Sequence, residues 1–243
     1  MKKHLPSIFC YEDVKDLFPS KTAFKFYVFR NYKKEKLLKI KNGLYVTKQS
    51  KLNGQPYDKY QIASHLFSNS FISSYEALIY YNFFNNDLGQ TFTYYSRNRV
   101  NPLRFDGITY ISKKAISTSQ VAFLSDKNIR IVSLERAIVD FVDNYNKIDY
   151  PDIAIYQIID ALKKCKDINS AKIIEMLKLH NTKFLYKKIG YLFEKSSKNK
   201  EVINFCQKYV GETIYYFVSS KEKAVYCPRW KLMVDDDSIR VIE

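Results

Sequence analysis

Scarcity is the first thing to read in this chain. Among 243 residues there are six glycines, six prolines, four cysteines, three histidines and one tryptophan. With so few glycines a phosphate-cradling loop is hard to build, and neither G-x-x-x-x-G-K-[ST] nor G-x-G-x-x-G occurs. No G-x-S-x-G elbow is present either. Cys10, Cys165, Cys206 and Cys227 are scattered without a C-x-x-C pair, a pattern of reduced, buried thiols in a cytoplasmic protein. His4, His65 and His180 lie far apart, and none has a metal-ligand partner at suitable spacing on its element. Each reads as a surface or internally satisfied histidine, so no metal and no cofactor are expected. No apolar run reaches 18 residues, and the opening MKKHLPSIFC lacks the apolar core of a signal peptide. Neither a membrane span nor export is expected.

What is abundant is positive charge. The chain has 40 Lys and Arg against 25 Asp and Glu, a formal +15. Residues 1–51 hold 13 Lys/Arg and 4 Asp/Glu, so +9 of that total falls in about a fifth of the length. Hydrophobic content of 46% and charged content of 27% are those of an ordinary globular protein. A/T-rich coding also inflates Lys, Asn, Ile, Tyr and Phe, so the uneven distribution of charge is more informative than its sum. An N-terminal concentration of cations is a footprint of polyanion binding.

Within that region the stretch Ser20–Thr47, SKTAFKFYVFRNYKKEKLLKIKNGLYVT, is the most informative. Ser20 is a good N-cap after Pro19, and no glycine or proline follows until Gly43. At helical spacing Phe24, Tyr27, Val28 and Tyr32 form a stripe fit to pack on a core, while Lys21, Thr22, Lys25, Arg30 and Lys33 fall mostly outside it. Asn42-Gly43 favours positive φ at both positions and suits a tight hairpin between Leu37–Lys41 and Leu44–Val46. Cys10–Phe18 fits a supporting helix. Together these parts outline a winged helix-turn-helix, its recognition helix bearing Ser20, Lys21, Thr22, Lys25, Arg30 and Lys33. Lys39, Lys41 and Asn42 form the wing. Any lysine-rich small domain could show the same pattern.

The fold class expected is α+β: a winged helix over 1–48, a linker over 49–57 rich in Ser, Asn, Gly and Pro, and a larger helix-rich domain with a small sheet over 58–243. Residues 1–9 read as a lead-in. After the linker come helices over 58–67 and 71–85, the second opened by a capping box of Ser73 and Glu76. Strands follow at 91–95, 107–112, 121–124 and 129–132, then a helix over 134–145 with Ala137, Ile138, Phe141 and Val142 inward. From Pro151 the pattern is a helical array, and 213–220 and 224–234 return to β character.

Signals for catalysis are weak. Glu135 and Asp140 lie on one helix roughly 140° apart, too far for a tight pair. Asp235-Asp236-Asp237 reads as a solvated tail. A second cluster, Lys183, Lys187, Lys188, Lys195, Lys198 and Lys200, reads as a solvated face, with an auxiliary phosphate-binding surface or a patch for an acidic partner as the alternative.

In order along the chain, Gly43-Leu44-Tyr45-Val46, Phe71-Ile72-Ser73 through Ala77-Leu78 and Tyr81, Ser133–Asp140 (SLERAIVD) and Lys188–Glu194 (KIGYLFE) resemble motifs of the AbiEi family. That family comprises antitoxins and transcriptional regulators of type IV, abortive-infection toxin-antitoxin systems that defend against phage. Departures are Ser74 and Asn82, where the family often has Gly, Leu134 for Pro, and Lys188 for Arg. The resemblance implies a cytoplasmic, non-catalytic repressor that binds double-stranded DNA at its own promoter, commonly at inverted repeats. It also implies antagonism of a nucleotidyltransferase toxin without a stable complex. It implies core roles for Ala137, Ile138, Ile189 and Leu192, and cap or ion-pair roles for Glu135, Arg136 and Asp140. Two other classes stay open: a nucleic-acid-processing enzyme whose nuclease-like C-terminal domain is delivered by the winged helix, and an interaction protein whose basic N-terminus takes an acidic partner.

Overall fold

The structure is a computed structural model that describes residues 5–48, 57–84, 90–145, 151–165, 167–197, 199–218 and 224–235. The expected linker falls outside these residues except for Tyr57, as do Lys198, Asp236 and Asp237. The chain is α+β and packs into two compact units. The first gathers three stretches of chain, 1–72, 88–115 and 123–131. The second gathers 73–87, 116–122 and 132–243.

The first unit begins with β1 (Ile8–Cys10), where the sequence suggested only a lead-in. A short helix α1 (Tyr11–Val14) and a single 3₁₀ turn (Lys15–Leu17) follow, then α2 (Lys21–Lys33), β2 (Leu37–Lys41) and β3 (Leu44–Thr47). The strands form a sheet of order β1-β3-β2, antiparallel throughout, with Ile8 opposite Val46 and Leu38 also opposite Val46 on its other side. Ile8 and Phe9 are buried, which explains why a three-residue edge strand is worth forming. Phe9, Val14, Phe24, Val28 and Leu37 make the core of this sheet and helix. Phe24 meets Phe9 and Phe18 edge-on, with centroids 6.3 and 5.3 Å away. Tyr32 does not join the stripe. It is 53% exposed, and Asn31 turns inward instead, its side-chain amide donating to the Tyr27 carbonyl.

The hairpin turn also differs from expectation. Only Gly43 has positive φ (83°), not Asn42, and the register slips between Lys39 and Lys41. That irregularity supplies the twist that a turn left-handed at both residues would have given. Beyond the hairpin, Asp58 caps α3 (Lys59–His65) by accepting from the Tyr60 and Gln61 amides at 2.8 and 3.2 Å. The Ser7 hydroxyl donates to the Gln61 side chain at 3.1 Å and ties α3 to the segment before β1. A second sheet of order β4-β6-β5 joins β4 (Thr91–Ser96), β5 (Leu103–Phe105) and β6 (Ile108–Lys114), with β4 and β6 parallel. β5 was not expected. Its turn into β6 is made by Asp106 and Gly107, both at positive φ, and the Asp106 carboxylate accepts from the Tyr57 amide at 3.0 Å. β7 (Val121–Leu124) and β8 (Ile129–Val132) pair with each other.

In the second unit α4 (Ser74–Tyr80) and α5 (Leu134–Asn144) pack together, and α5 also touches α7 (Ser170–His180) and α8 (Lys183–Lys195). α6 (Pro151–Lys164) packs on α8, as does α9 (Lys200–Gln207). A third sheet, β9 (Tyr215–Phe217), β10 (Ala224–Cys227) and β11 (Leu232–Asp235), has order β10-β11-β9. Every residue of α5 from Glu135 to Val142 is buried, and every residue of α8 from Leu185 to Phe193. Helix stretches enclosed on all sides cannot leave polar groups open, and the buried Glu135, Arg136, Asp140, Lys187 and Lys188 all have partners within the protein.

Three expectations fail, the first two for that reason. Ser73 occupies the N-cap position of α4, yet its hydroxyl donates to the Asp140 carboxylate at 2.5 Å and makes no cap, so the capping box does not form. Lys187 and Lys188 are buried, not solvated, while Lys183 and Lys200 are exposed and Lys195 is half-buried. Cys206 is buried, but Cys10, Cys165 and Cys227 are only half-buried, all four as free thiols.

Candidate functional site

The expected DNA-contacting residues lie on α2 and its hairpin. Ser20 caps α2, accepting from the Ala23 amide at 3.1 Å. With Phe24 and Val28 turned to the core, Lys21, Thr22, Lys25, Arg30 and Lys33 are all exposed on the other side of the helix. The chain leaves α2 through Glu35 at φ 54°, a left-handed residue just past the helix end. The Glu35 carboxylate accepts from Lys48 at 3.0 Å, and that bond followed by the ammonium charge holds it below the usual carboxylate range. Lys39 and Asn42 are exposed on the hairpin. Lys41 is different. Its ammonium sits 3.4 Å from the centroid of the Phe67 ring, half-buried, and that burial pushes its pKa down. Eight of the nine expected residues are therefore exposed, and one is engaged within the protein.

Two further residues belong to this surface. Phe26 and Phe29 are 68% and 58% exposed, and with Arg30, Lys33 and Lys34 they line an open cleft of about 360 Å³. The Lys33 ammonium lies 4.5 Å from the Phe29 centroid, and Lys21 lies 5.6 Å from that of Tyr11. The sequence carried the signal. Phe26 stands about 160° and Phe29 about 140° around the helix from Phe24, on the face opposite the core stripe.

The second cluster is on α5. Asp140 is buried and accepts from the Ser73 hydroxyl at 2.5 Å, from Arg136 Nε at 3.1 Å, and pairs with His180 Nε2 at 3.1 Å. Burial alone would raise its pKa, but the His180 hydrogen bond, the Arg136 guanidinium and the Ser73 hydroxyl outweigh it and hold the carboxyl below the usual range. The other Arg136 nitrogens donate to the Ser119 and Ser117 carbonyls, the latter at 2.8 Å. Glu135 accepts from the Asn169 amide at 3.0 Å. These three carboxylate and guanidinium side chains have the cap and ion-pair roles expected of them.

On α8, Lys188 is enclosed by rings, its ammonium 4.3, 5.2 and 5.0 Å from the centroids of Tyr145, Phe184 and Phe217. Burial pushes its pKa down to about 8, against the opposing pull of Asp143. Lys187 donates to the Gly211 and Thr213 carbonyls. Gly190 faces the buried Trp230, where an added Cβ would overlap the indole ring, and the Trp230 N–H donates to Glu194 at 2.5 Å. Arg229 pairs with the same carboxylate. Two lysines of the cluster, Lys187 and Lys188, thus hold the segment around Thr213–Phe217 onto α8, while Lys183 and Lys200 stay exposed.

No family model matches this chain, and no curated protein does. Among solved structures, the crystal structure of the RV2827C protein from Mycobacterium tuberculosis is similar, with a TM-score of 0.63 and 11% sequence identity. The match covers 98% of this chain and 90% of that one. At that identity the likeness establishes the α+β fold along nearly the whole chain, and only the fold.

Proposed function

We propose that this protein is a DNA-binding transcriptional repressor and antitoxin of the AbiEi type, working in the cytoplasm without catalytic activity. Its N-terminal part is read as a winged helix-turn-helix. The observation that carries this reading is the exposed cationic face of α2 beside a β2–β3 hairpin, in a sheet of order β1-β3-β2. A helix held from behind by its apolar face, next to a basic hairpin, can enter a groove while the hairpin meets phosphate. Ser20, Lys21, Thr22, Lys25, Arg30, Lys33, Lys39 and Asn42 are the contacts proposed. Lys41 is the weaker member, since Phe67 already holds it.

A separate observation supports the family resemblance. The two positions at which AbiEi proteins often carry Gly, Ser74 and Asn82, both have left-handed backbones here, φ 57° and 59°. Glycine is the residue that backbone favours. The engagement of Asp140 by three internal partners supports a structural role for that carboxylate over a catalytic one. The toxin antagonised would be a nucleotidyltransferase, with no stable complex required.

The first test is a mobility-shift titration on the DNA upstream of the gene itself, with scrambled competitor. A preference of about a thousandfold over competitor marks a specific regulator. Growth rescue on co-expression with a neighbouring nucleotidyltransferase tests the second role. Binding indifferent to sequence, together with no rescue, would overturn the reading.

A further inference from the structure

The winged-helix reading accounts for the cations on α2 and leaves its most exposed apolar side chains unexplained. Phe26 and Phe29 are 68% and 58% exposed, side by side at the centre of the face opposite the core. Single exposed apolar residues are common, but two rings in one cleft rimmed by Arg30, Lys33 and Lys34 form a surface of definite chemistry: apolar in the middle, cationic around it. Such a surface is complementary to an acidic partner with an apolar centre. The major groove of DNA is such a partner where thymines lie, because each presents a C5-methyl between two rows of phosphates.

We infer that Phe26 and Phe29 read thymine methyl groups in the major groove, while Lys25, Arg30, Lys33 and Lys34 hold the flanking backbone. This rests on α2 being the recognition helix, and it adds what that helix recognises. Arg30 then serves phosphate, and sequence preference comes from apolar contact. An A/T-rich site with thymines on adjacent steps is the class of operator expected. Lys33 lies 4.5 Å from the Phe29 centroid, so the cation already rests against the ring that would enter the groove.

The test uses the intact protein and alternating duplexes that differ by one methyl: dA-dT against dA-dU, and dG-dC against dG-5-methyl-dC. A buried methyl is worth about fourfold in affinity, so two covered methyls give about a ten- to twentyfold preference for dA-dT over dA-dU. The methylated cytosine duplex should gain in the same direction. In the Phe26→Ala, Phe29→Ala double variant the dT/dU ratio should fall to near one, with the salt dependence of binding kept. Both positions are exposed, and circular dichroism checks that the variant stays folded.

Equal affinity of the intact protein for dA-dT and dA-dU, with steep salt dependence, overturns the inference and leaves DNA binding standing. No binding to any of the duplexes overturns both. A double variant that keeps the dT/dU preference overturns it as well. A change in oligomer mass in that variant, with an intact-protein ratio near one, assigns the rings to a second copy of the chain instead.

Discussion

Gly190 and Lys188 show how much of α8 is decided by single atoms. Gly190 exists to let the Trp230 ring approach the helix, and Glu194 one turn on accepts the indole N–H. Gly190→Ala should cost about 2–3 kcal/mol by overpacking, read by urea unfolding. Trp230 is the only tryptophan, so its fluorescence should shift to the red in the same variant as the ring is displaced. Lys188 titrates near 8 in the folded protein against 10.5 ordinarily. Between those values the unfolded chain keeps a proton that the native state has released. Stability from this group therefore rises with pH across the window, by up to roughly 3 kcal/mol. In Lys188→Met that rise should be missing, and the two proteins' unfolding free energies should converge as pH goes from 8 towards 10.5. Neither role was legible in the sequence. A lysine-rich helix looks solvated until its neighbours are known, and the aromatic residues around Lys188 come from three separate elements.

At the scale of elements, α4 and α5 are locked by Asp140, and the stability this lock contributes also rises with pH, in an acidic window. Its folded pKa is depressed, so its contribution is complete above the ordinary carboxylate value of about 4 and is lost as pH falls through the lower folded value. Asp140→Asn should cost about 3–5 kcal/mol at neutral pH, because Arg136 is left buried without its partner. Urea midpoints of the variant and the natural protein should approach each other as pH falls below the ordinary carboxylate value of about 4. Either end of α4 carries a left-handed non-glycine, Ser74 and Asn82. Glycine at each should stabilise, by up to about 1 kcal/mol at Ser74 and less at Asn82, since asparagine tolerates that backbone. Thermal unfolding of the two single variants would show it. Elements with a strong period were readable in advance: α2, α5 and the helices from Pro151 on, and the strands 121–124 and 129–132. The three-residue strands β1 and β5 were not, β1 because its partner β3 is distant in sequence and β5 because three residues before a tight turn show no readable period, and the side chains of Ser73 and Tyr32 went where packing, and not local pattern, sent them.

For the whole molecule the governing quantity is charge placement. The +9 carried by residues 1–51 should make DNA binding steeply salt-dependent. Lys21→Ala should weaken binding to all sequences and flatten the slope of log affinity against log salt by about one unit, in titrations at several salt concentrations. An unchanged slope would take Lys21 off the interface. The basic face of α2 was legible because cations and core residues alternate with helical period, whereas its aromatic centre was masked by the abundance of tyrosine and phenylalanine throughout the chain. One feature of the fold bears on how the protein can be made and cut. The unit that holds α2 is assembled from three stretches ending at residue 131, and the intervening stretches belong to the other unit. On the ribosome, the unit that holds α2 is unfinished until residue 131 has been added, and no single proteolytic nick or stop codon can release either unit intact. A truncation before residue 131 would leave both units incomplete, so whatever each of them does would be lost together.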